Sequence, residues 1–199
     1  VGYQPGYDVK AAAAYIVNLD TNLIVYDHNS EESLAAASLT KLMTMILMLE
    51  SYQDQLDTIS ITAPGYIYDY LYGKNASTAD IWKDETHTLR SLLYAMLLPS
   101  ANEAAYIVAD YMSGSSIDNF VAMMNQKAEE LGLTNTHFEN CTGLHNDNHY
   151  STCRDIAVLM SECLKSDTFR EIVTREVYTT EATASHPEGI TLYDTMLHR

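Results

Sequence analysis

Residues Ala37-Ser38-Leu39-Thr40-Lys41-Leu42-Met43-Thr44-Met45-Ile46-Leu47-Met48-Leu49 constrain this chain more than any other stretch. Their apolar side chains do not keep to one stripe but run right round a helix, which predicts an element buried on most sides. A buried helix has little use for a hydroxyl and an amine at its start. Ser38 and Lys41 are three apart, so a helix puts both on one face and within reach of each other. Burial strips water from an ammonium and lowers its pKa, leaving part of Lys41 neutral and able to take the Ser38 proton. The helix N-terminus adds unpaired N–H groups and a positive dipole end, which favour negative charge near Ser38. The alternative is structural: Ser38 as an N-cap, and Lys41 reaching water along its own methylenes. Ser-x-x-Lys by itself does not choose between the two.

The chain has 199 residues, 47% of them hydrophobic, enough for one large domain or two lobes sharing a cleft. Eleven Lys+Arg against 27 Asp+Glu give a net charge of -16, which argues against nucleic acid or an anionic lipid surface as partner. No run of eighteen apolar residues occurs, and Val1 to Asp8 lacks a charged and apolar leader. The expectation is a soluble chain whose export signal, if it had one, is already removed. Three cysteines, Cys141, Cys153 and Cys163, make no complete disulfide framework. Cys153 and Cys163 are ten apart on one predicted helix, too far along its axis to bridge, and read as free thiols or packing. His145 and His149, four apart and near Cys141, invite a metal reading, but Asn140 to Tyr150 reads as a loop and argues against it.

Along the chain, Ala11–Leu19 and Leu23–Asn29 read as a hairpin about Asp20-Thr21-Asn22. Ala35-Ala36-Ala37 allows close backbone approach before Ser38, to seat a substrate or simply to pack. Thr58–Thr62 is a short strand candidate, and Tyr66, Tyr68, Tyr70 and Tyr72 read as core cover rather than the lining of a groove. A helix runs over Thr88–Leu98 and stops at Pro99; another covers Ala104–Met112. Ser116–Leu131 is amphipathic, with Phe120, Met124, the Lys127 stem and Leu131 in line and Gly132 as its stop. After the loop Leu133–Tyr150, Ser151 or Thr152 starts a helix with Ile156, Leu159, Met160 and Cys163 inward. Ile172–Thr174 and Val177–Thr180 are β-leaning, and Thr191–Arg199 is expected to begin a last helix. This order suggests an α/β protein with a helical lobe between parts of a sheet.

Ser100 and Asn102 lie in the tight link between two of these helices. A hydroxyl and an amide there can reach a cleft, one to relay a proton and the other to bind a substrate carbonyl. Ser100-x-x-Glu103 also reads as a capping box, in which Ser100 merely starts the next helix.

Taken together, Ala37-Ser38-Leu39-Thr40-Lys41-Leu42-Met43-Thr44 and Leu92 to Ala105, with Pro99-Ser100-Ala101-Asn102-Glu103 at its centre, closely resemble the D-alanyl-D-alanine carboxypeptidases, the low-molecular-mass penicillin-binding proteins. Phe120 to Phe138 and Gly143 to Asp155 resemble the same family. The resemblance implies the β-lactamase and penicillin-binding transpeptidase-like fold, a sheet lobe against an all-helical lobe with Ser38 between them. It implies residues 1–37 as the N-terminal hairpin of the sheet lobe, 38–170 as the mainly helical lobe and 171–199 as the return towards the sheet. The implied reaction removes the terminal D-alanine of peptidoglycan stem peptides through an ester on Ser38, then hydrolyses it. Lys41 would be the base, Ser100 would carry a proton to the leaving amine, Asn102 would orient the peptide, and the Ser38 N–H would face the oxyanion. No metal or cofactor is implied, and the partners are stem peptides and β-lactam antibiotics. The place is the cell envelope, in cell-wall construction and cell shape, with a membrane anchor possible beyond Arg199. The family's Lys-Thr-Gly strand edge does not occur here. The expectation is a truncated chain, with the last sheet strands and a second oxyanion donor in a missing C-terminal segment that would itself be a partner. Two alternatives keep the same fold: a serine β-lactamase with faster deacylation, and a non-catalytic cell-wall binding protein.

Overall fold

The structure, a computed structural model, describes residues 9–196. It opens with the expected hairpin, β1 (Ala14–Asn18) against β2 (Leu23–His28), with a bulge between Ile16 and Val17. Asn18 Oδ1 accepts from the backbone N–H groups of Asp20 and Thr21, both at 3.0 Å, and Asn22 takes a φ of 53°. These are the means by which Asx residues close a turn. A 3-10 turn over Ala37–Thr40 then leads into α1 (Lys41–Tyr52). Next come β3 (Ser60–Thr62), a 3-10 segment over Gly65–Tyr70, β4 (Thr86–Thr88), α2 (Leu89–Leu97), α3 (Asn102–Ser113) and α4 (Ile117–Glu130). The chain continues with α5 (Cys153–Cys163), α6 (Asp167–Val173), β5 (Val177–Thr179) and β6 (Thr191–Tyr193).

The core sits around α1. Every residue from Lys41 to Leu49 is buried, as the unstriped apolar pattern requires, because α2, α3, α4 and α5 all pack against this helix. The neighbouring helices are set by caps: Thr88, Ser116 and Thr152 hydroxyls accept from the backbone N–H groups of Ser91, Asn119 and Asp155. On α4, Phe120 and Met124 face inward with Ala128, and on α5 Leu159 and Cys163 are buried while Ile156 and Met160 pack at the margin. All three cysteines are free thiols.

Several expectations change. The β-leaning Ile172-Val173 belongs to α6, because Ser166 caps that helix and Phe169 and Ile172, three apart, both reach the core. Thr191–Tyr193 is a strand rather than the start of a helix, held by pairing of Thr191 with Thr179 and Tyr193 with Val177; the N-terminal octapeptide and residues 197–199 lie outside the described residues. The tyrosine run forms a 3-10 segment: Tyr68 packs on the core, Tyr70 stacks on Tyr106 at 5.1 Å, and Tyr72 is exposed. The strands form three separate two-stranded ribbons, so among the described residues the first and last parts do not join into one sheet.

A buried polar cluster ties the last ribbon to β4. Glu85 accepts from the Trp82 N–H at 2.7 Å and from His186 Nδ1 at 2.8 Å, and Thr183 Oγ1 donates to it as well. Glu181 accepts from the Thr88 N–H and the Ser91 hydroxyl. Between the two carboxylates lies His87, 1% exposed, its Nε2 4.0 Å from Glu85 and its Nδ1 3.9 Å from Glu181, with neither nitrogen hydrogen-bonded. Burial lowers the His87 pKa below 6.5 despite the Glu181 and Glu85 charges. The unfolded chain therefore binds the proton more readily than the native state, and this residue's contribution to stability is lost as pH falls below 6.5. An apolar replacement removes both the unpaired nitrogens and the proton linkage. In thermal unfolding from pH 7.5 to 5, the midpoint of His87→Val is expected to move upward relative to the parent as pH falls; a difference independent of pH would refute this account.

Candidate active site

The turn that carries Ser38 is tighter than an α-helix. Ser38 lies in the 3-10 turn, where residues three apart eclipse, and Ala37 before it holds a φ of 47°, which stops the helix from extending backwards. Ser38 caps nothing: the N-cap of α1 is Thr40, without a side-chain hydrogen bond. Ser38 is exposed while Lys41, 1% exposed, is buried, so the amine does not snorkel to water.

Four acceptors surround the Lys41 Nζ: Asn102 Oδ1 at 2.9 Å, the Thr142 carbonyl at 3.0 Å, Ser38 Oγ at 3.2 Å and Ser100 Oγ at 3.3 Å. Two of them, the amide oxygen and the carbonyl, only accept, and each takes one N–H. The third position of the nitrogen then faces the two hydroxyls. In the ammonium it carries a proton shared between them; in the amine it is a lone pair aimed at a hydroxyl proton. Burial lowers the Lys41 pKa to about 8, opposed in part by Cys141 and Glu103.

The α2–α3 link delivers the other two groups. Ser100 adopts a φ of 60°, a left-handed conformation uncommon for serine, and this turns its hydroxyl towards Lys41. The capping box does not form. Ala101 is the N-cap of α3, and Glu103 instead accepts from the Ala79 N–H at 2.6 Å, its carboxyl raised to about 7 by burial. Asn102 is committed within the protein, with Oδ1 on Lys41 and Nδ2 donating to the Ser77 carbonyl at 3.1 Å. A substrate contact by Asn102 falls to its second Nδ2 hydrogen.

The loop from 139 to 150, read from sequence merely as a loop, supplies the remaining wall. Asn140 Oδ1 accepts from the N–H groups of Thr142 and Gly143 at 3.1 and 2.7 Å, and Nδ2 donates to the Leu144 carbonyl at 2.9 Å, so the loop is internally braced. Gly143 has a φ of 90°, and a Cβ there would stand 1.7 Å from the Ala37 carbonyl oxygen. That contact presses the loop onto the peptide preceding Ser38. Of the two histidines, His145 is exposed beside Asp147, while His149 is buried with both nitrogens engaged by the protein. The sequence signal available for this wall was the spacing of Asn140 and Gly143 in a polar stretch, which marks a turn but not what the turn touches. Among the described residues no group of three His, Cys, Asp or Glu is arranged to hold a metal ion.

The sequence pattern of the D-alanyl-D-alanine carboxypeptidase family, peptidase S11, matches residues 2–193. The D-alanyl-D-alanine carboxypeptidase DacF of Bacillus subtilis is 36% identical over 177 residues, which are 87% of this chain and 44% of that protein. The D-alanyl-D-alanine carboxypeptidase of Streptomyces sp. strain K15 is 34% identical over 176 residues, 86% of this chain and 60% of the relative. The chain thus spans about half the length of these curated relatives. The crystal structure of the Streptomyces K15 DD-transpeptidase superposes with a TM-score of 0.89 at 31% identity, covering 96% of this chain and 76% of the other. Penicillin-binding protein 5 of Haemophilus influenzae shares the fold, with a TM-score of 0.81 at 22% identity. Sequence pattern, identity and superposition agree, and the chain belongs to the D-alanyl-D-alanine carboxypeptidase family of serine peptidases.

Proposed function

We propose that this chain carries the nucleophile of a serine-type D-alanyl-D-alanine carboxypeptidase acting on peptidoglycan stem peptides, and that β-lactams acylate the same oxygen. The observation that carries this reading is the buried Lys41 amine, in contact with Ser38, Ser100 and Asn102 at once. Ser38 Oγ attacks the carbonyl carbon of the scissile peptide bond as its proton passes to neutral Lys41. The resulting oxyanion faces the Ser38 N–H. Ser100 then hands a proton to the leaving amine, replenished from Lys41, as the C–N bond breaks and free D-alanine departs. Water then attacks the ester carbonyl carbon, the bond from that carbon to Ser38 Oγ breaks, a water proton restores the hydroxyl, and the shortened stem peptide leaves as its carboxylate.

The setting we propose is the cell envelope, where stem peptides are found, and the division of labour is a sheet lobe of residues 1–37 and 171–199 about a helical lobe of 38–170. Among the described residues no helix is long and apolar enough to cross a membrane. A cavity of about 520 Å³ lies between β1 and α5, lined by Ile16, Leu19, Leu34, Leu39, Ile156 and Met160, three of which (Ile16, Leu19 and Leu39) are exposed. We propose that further polypeptide, the counterpart of the quarter of the Streptomyces structure left uncovered, packs there and supplies the Lys-Thr-Gly edge.

Three measurements test this reading. Incubation of the polypeptide as its cell makes it with benzylpenicillin is expected to add one penicilloyl mass to the peptide bearing Ser38, and none in Ser38→Ala; an unlabelled parent refutes the mechanism. The acylation rate is expected to rise about tenfold per pH unit up to a plateau near pH 8, the value burial gives Lys41. Lys41→Ala should lower it by about 10²- to 10⁴-fold, and a pH-independent parental rate would exclude Lys41 as base. The intact mass of the native product should exceed that of these 199 residues; equality removes the proposed packing segment.

A further inference from the structure

His149 is hydrogen-bonded to none of the groups assigned a chemical role, yet its two ring nitrogens are both spent on the catalytic turn and the loop beside it. Nδ1 lies 3.0 Å from the Glu139 backbone nitrogen, which can only donate, so Nδ1 accepts. The ring proton therefore sits on Nε2 and is donated to Thr40 Oγ1 at 2.6 Å. Both residues are buried, Thr40 at 0% and His149 at 4% exposure, and the Phe138 ring packs edge-on against the imidazole. Burial lowers the His149 pKa to about 4, so the ring stays neutral and this pattern of one donor and one acceptor persists near neutrality.

Thr40 stands between Ser38 and Lys41 in the 3-10 turn. The same loop touches the turn and the start of α1 at three further points: Gly143 on the Ala37–Ser38 peptide, the Thr142 carbonyl on Lys41 Nζ, and the Cys141 carbonyl on Thr44 Oγ1 at 2.9 Å. Of these four contacts, His149 to Thr40 is the one between two side chains, and it falls on a residue lying between Ser38 and Lys41. Ala37 with its φ of 47° lies at the other end of the turn, so the turn needs holding against relaxation.

We propose that His149 is a positioning residue for acyl transfer: its Nε2–H, anchored through Nδ1 to the Glu139 backbone, fixes Thr40 and thereby the alignment of Ser38 with Lys41. This rests on the acyl-transfer reading above. His149 itself never meets the substrate.

The test uses benzylpenicillin acylation of the polypeptide as its cell makes it, resolved into noncovalent binding and the covalent step. His149→Leu is expected to slow the covalent step about 10- to 100-fold with the binding constant little changed. His149→Gln, whose amide oxygen can accept from Glu139 and whose NH₂ can donate to Thr40, should recover most of the rate. Thr40→Val should reproduce the His149→Leu loss, and the double variant should be no slower than either. A folded His149→Leu that acylates at the parental rate, or fully additive losses in the double variant, overturns the proposal. Imidazole ¹⁵N spectra of the parent provide a readout independent of variant folding: the Nε2–H tautomer supports the proposal, and the Nδ1–H tautomer overturns it. A parent that acquires no adduct refutes the acyl-transfer reading and this inference with it, whereas a parent that acylates beside an unaffected His149→Leu refutes this inference alone.

Discussion

One desolvated amine organises this molecule. An ammonium taken out of water loses several kcal/mol of hydration, and the fold must answer with well-placed acceptors or with a lowered pKa. Here it does both. Asn102 and Thr142 hold two hydrogens of Lys41, and the remaining direction is left to Ser38 and Ser100. The same burial that would destabilise an ordinary lysine lowers the Lys41 pKa to about 8. Everything close by follows from keeping that geometry: the helix sealed on all sides, the left-handed Ser100 and the loop locked onto the turn.

Strain and its restraint are paired around the site. Ala37 and Ser100 both hold positive φ, at 47° and 60°, where a side chain raises the backbone energy by roughly 1–3 kcal/mol. Each is flanked by contacts that prevent relaxation. Gly143 lies against the Ala37 carbonyl with no space for a methyl group, and the Ala101 N–H is held by the Ala95 carbonyl. Further out, Thr195 donates to the Leu98 carbonyl, so the last ribbon reaches the helix end from which Ser100 springs. The polar cluster at Glu85, His87 and Glu181 therefore braces the ribbon that touches this link, although neither Ser38 nor Lys41 belongs to it.

Much of the fold was legible because it depends on periodicity and punctuation. The hairpin about Asp20-Thr21-Asn22, the stop at Pro99, the start of a helix at Ser151 or Thr152 and the sealed α1 are local consequences of side-chain shape and hydrogen-bonding capacity. The misreadings share one cause. Ile172-Val173 looked like a strand because β-branched residues favour extended backbone, but packing of Phe169 and Ile172 overrode that preference. Thr191–Tyr193 has no periodicity long enough to choose a state, and its partner strand, twelve or more residues earlier, chose for it. Ser100-x-x-Glu103 has the spacing of a capping box, yet the backbone N–H groups of the buried Ala79 and Ile81 donate to Glu103 instead.

The sequence by itself determined that a hydroxyl and an amine would stand three residues apart at the start of a buried helix, because the apolar residues after Lys41 leave that helix no polar face. It also placed a second hydroxyl and an amide in a tight link, whose brevity needs nothing from the rest of the chain. What only the tertiary structure decided is that these groups meet. Ser100 is 59 residues from Lys41 and Thr142 is 101 residues away, and no local rule relates such positions. Likewise, only the packed molecule shows Asn102 turned inward to hold the amine and His149 bound to Thr40 across 109 residues. The reason is physical: hydrogen bonds form between whatever groups the burial of apolar surface brings together, and that is a property of the whole core.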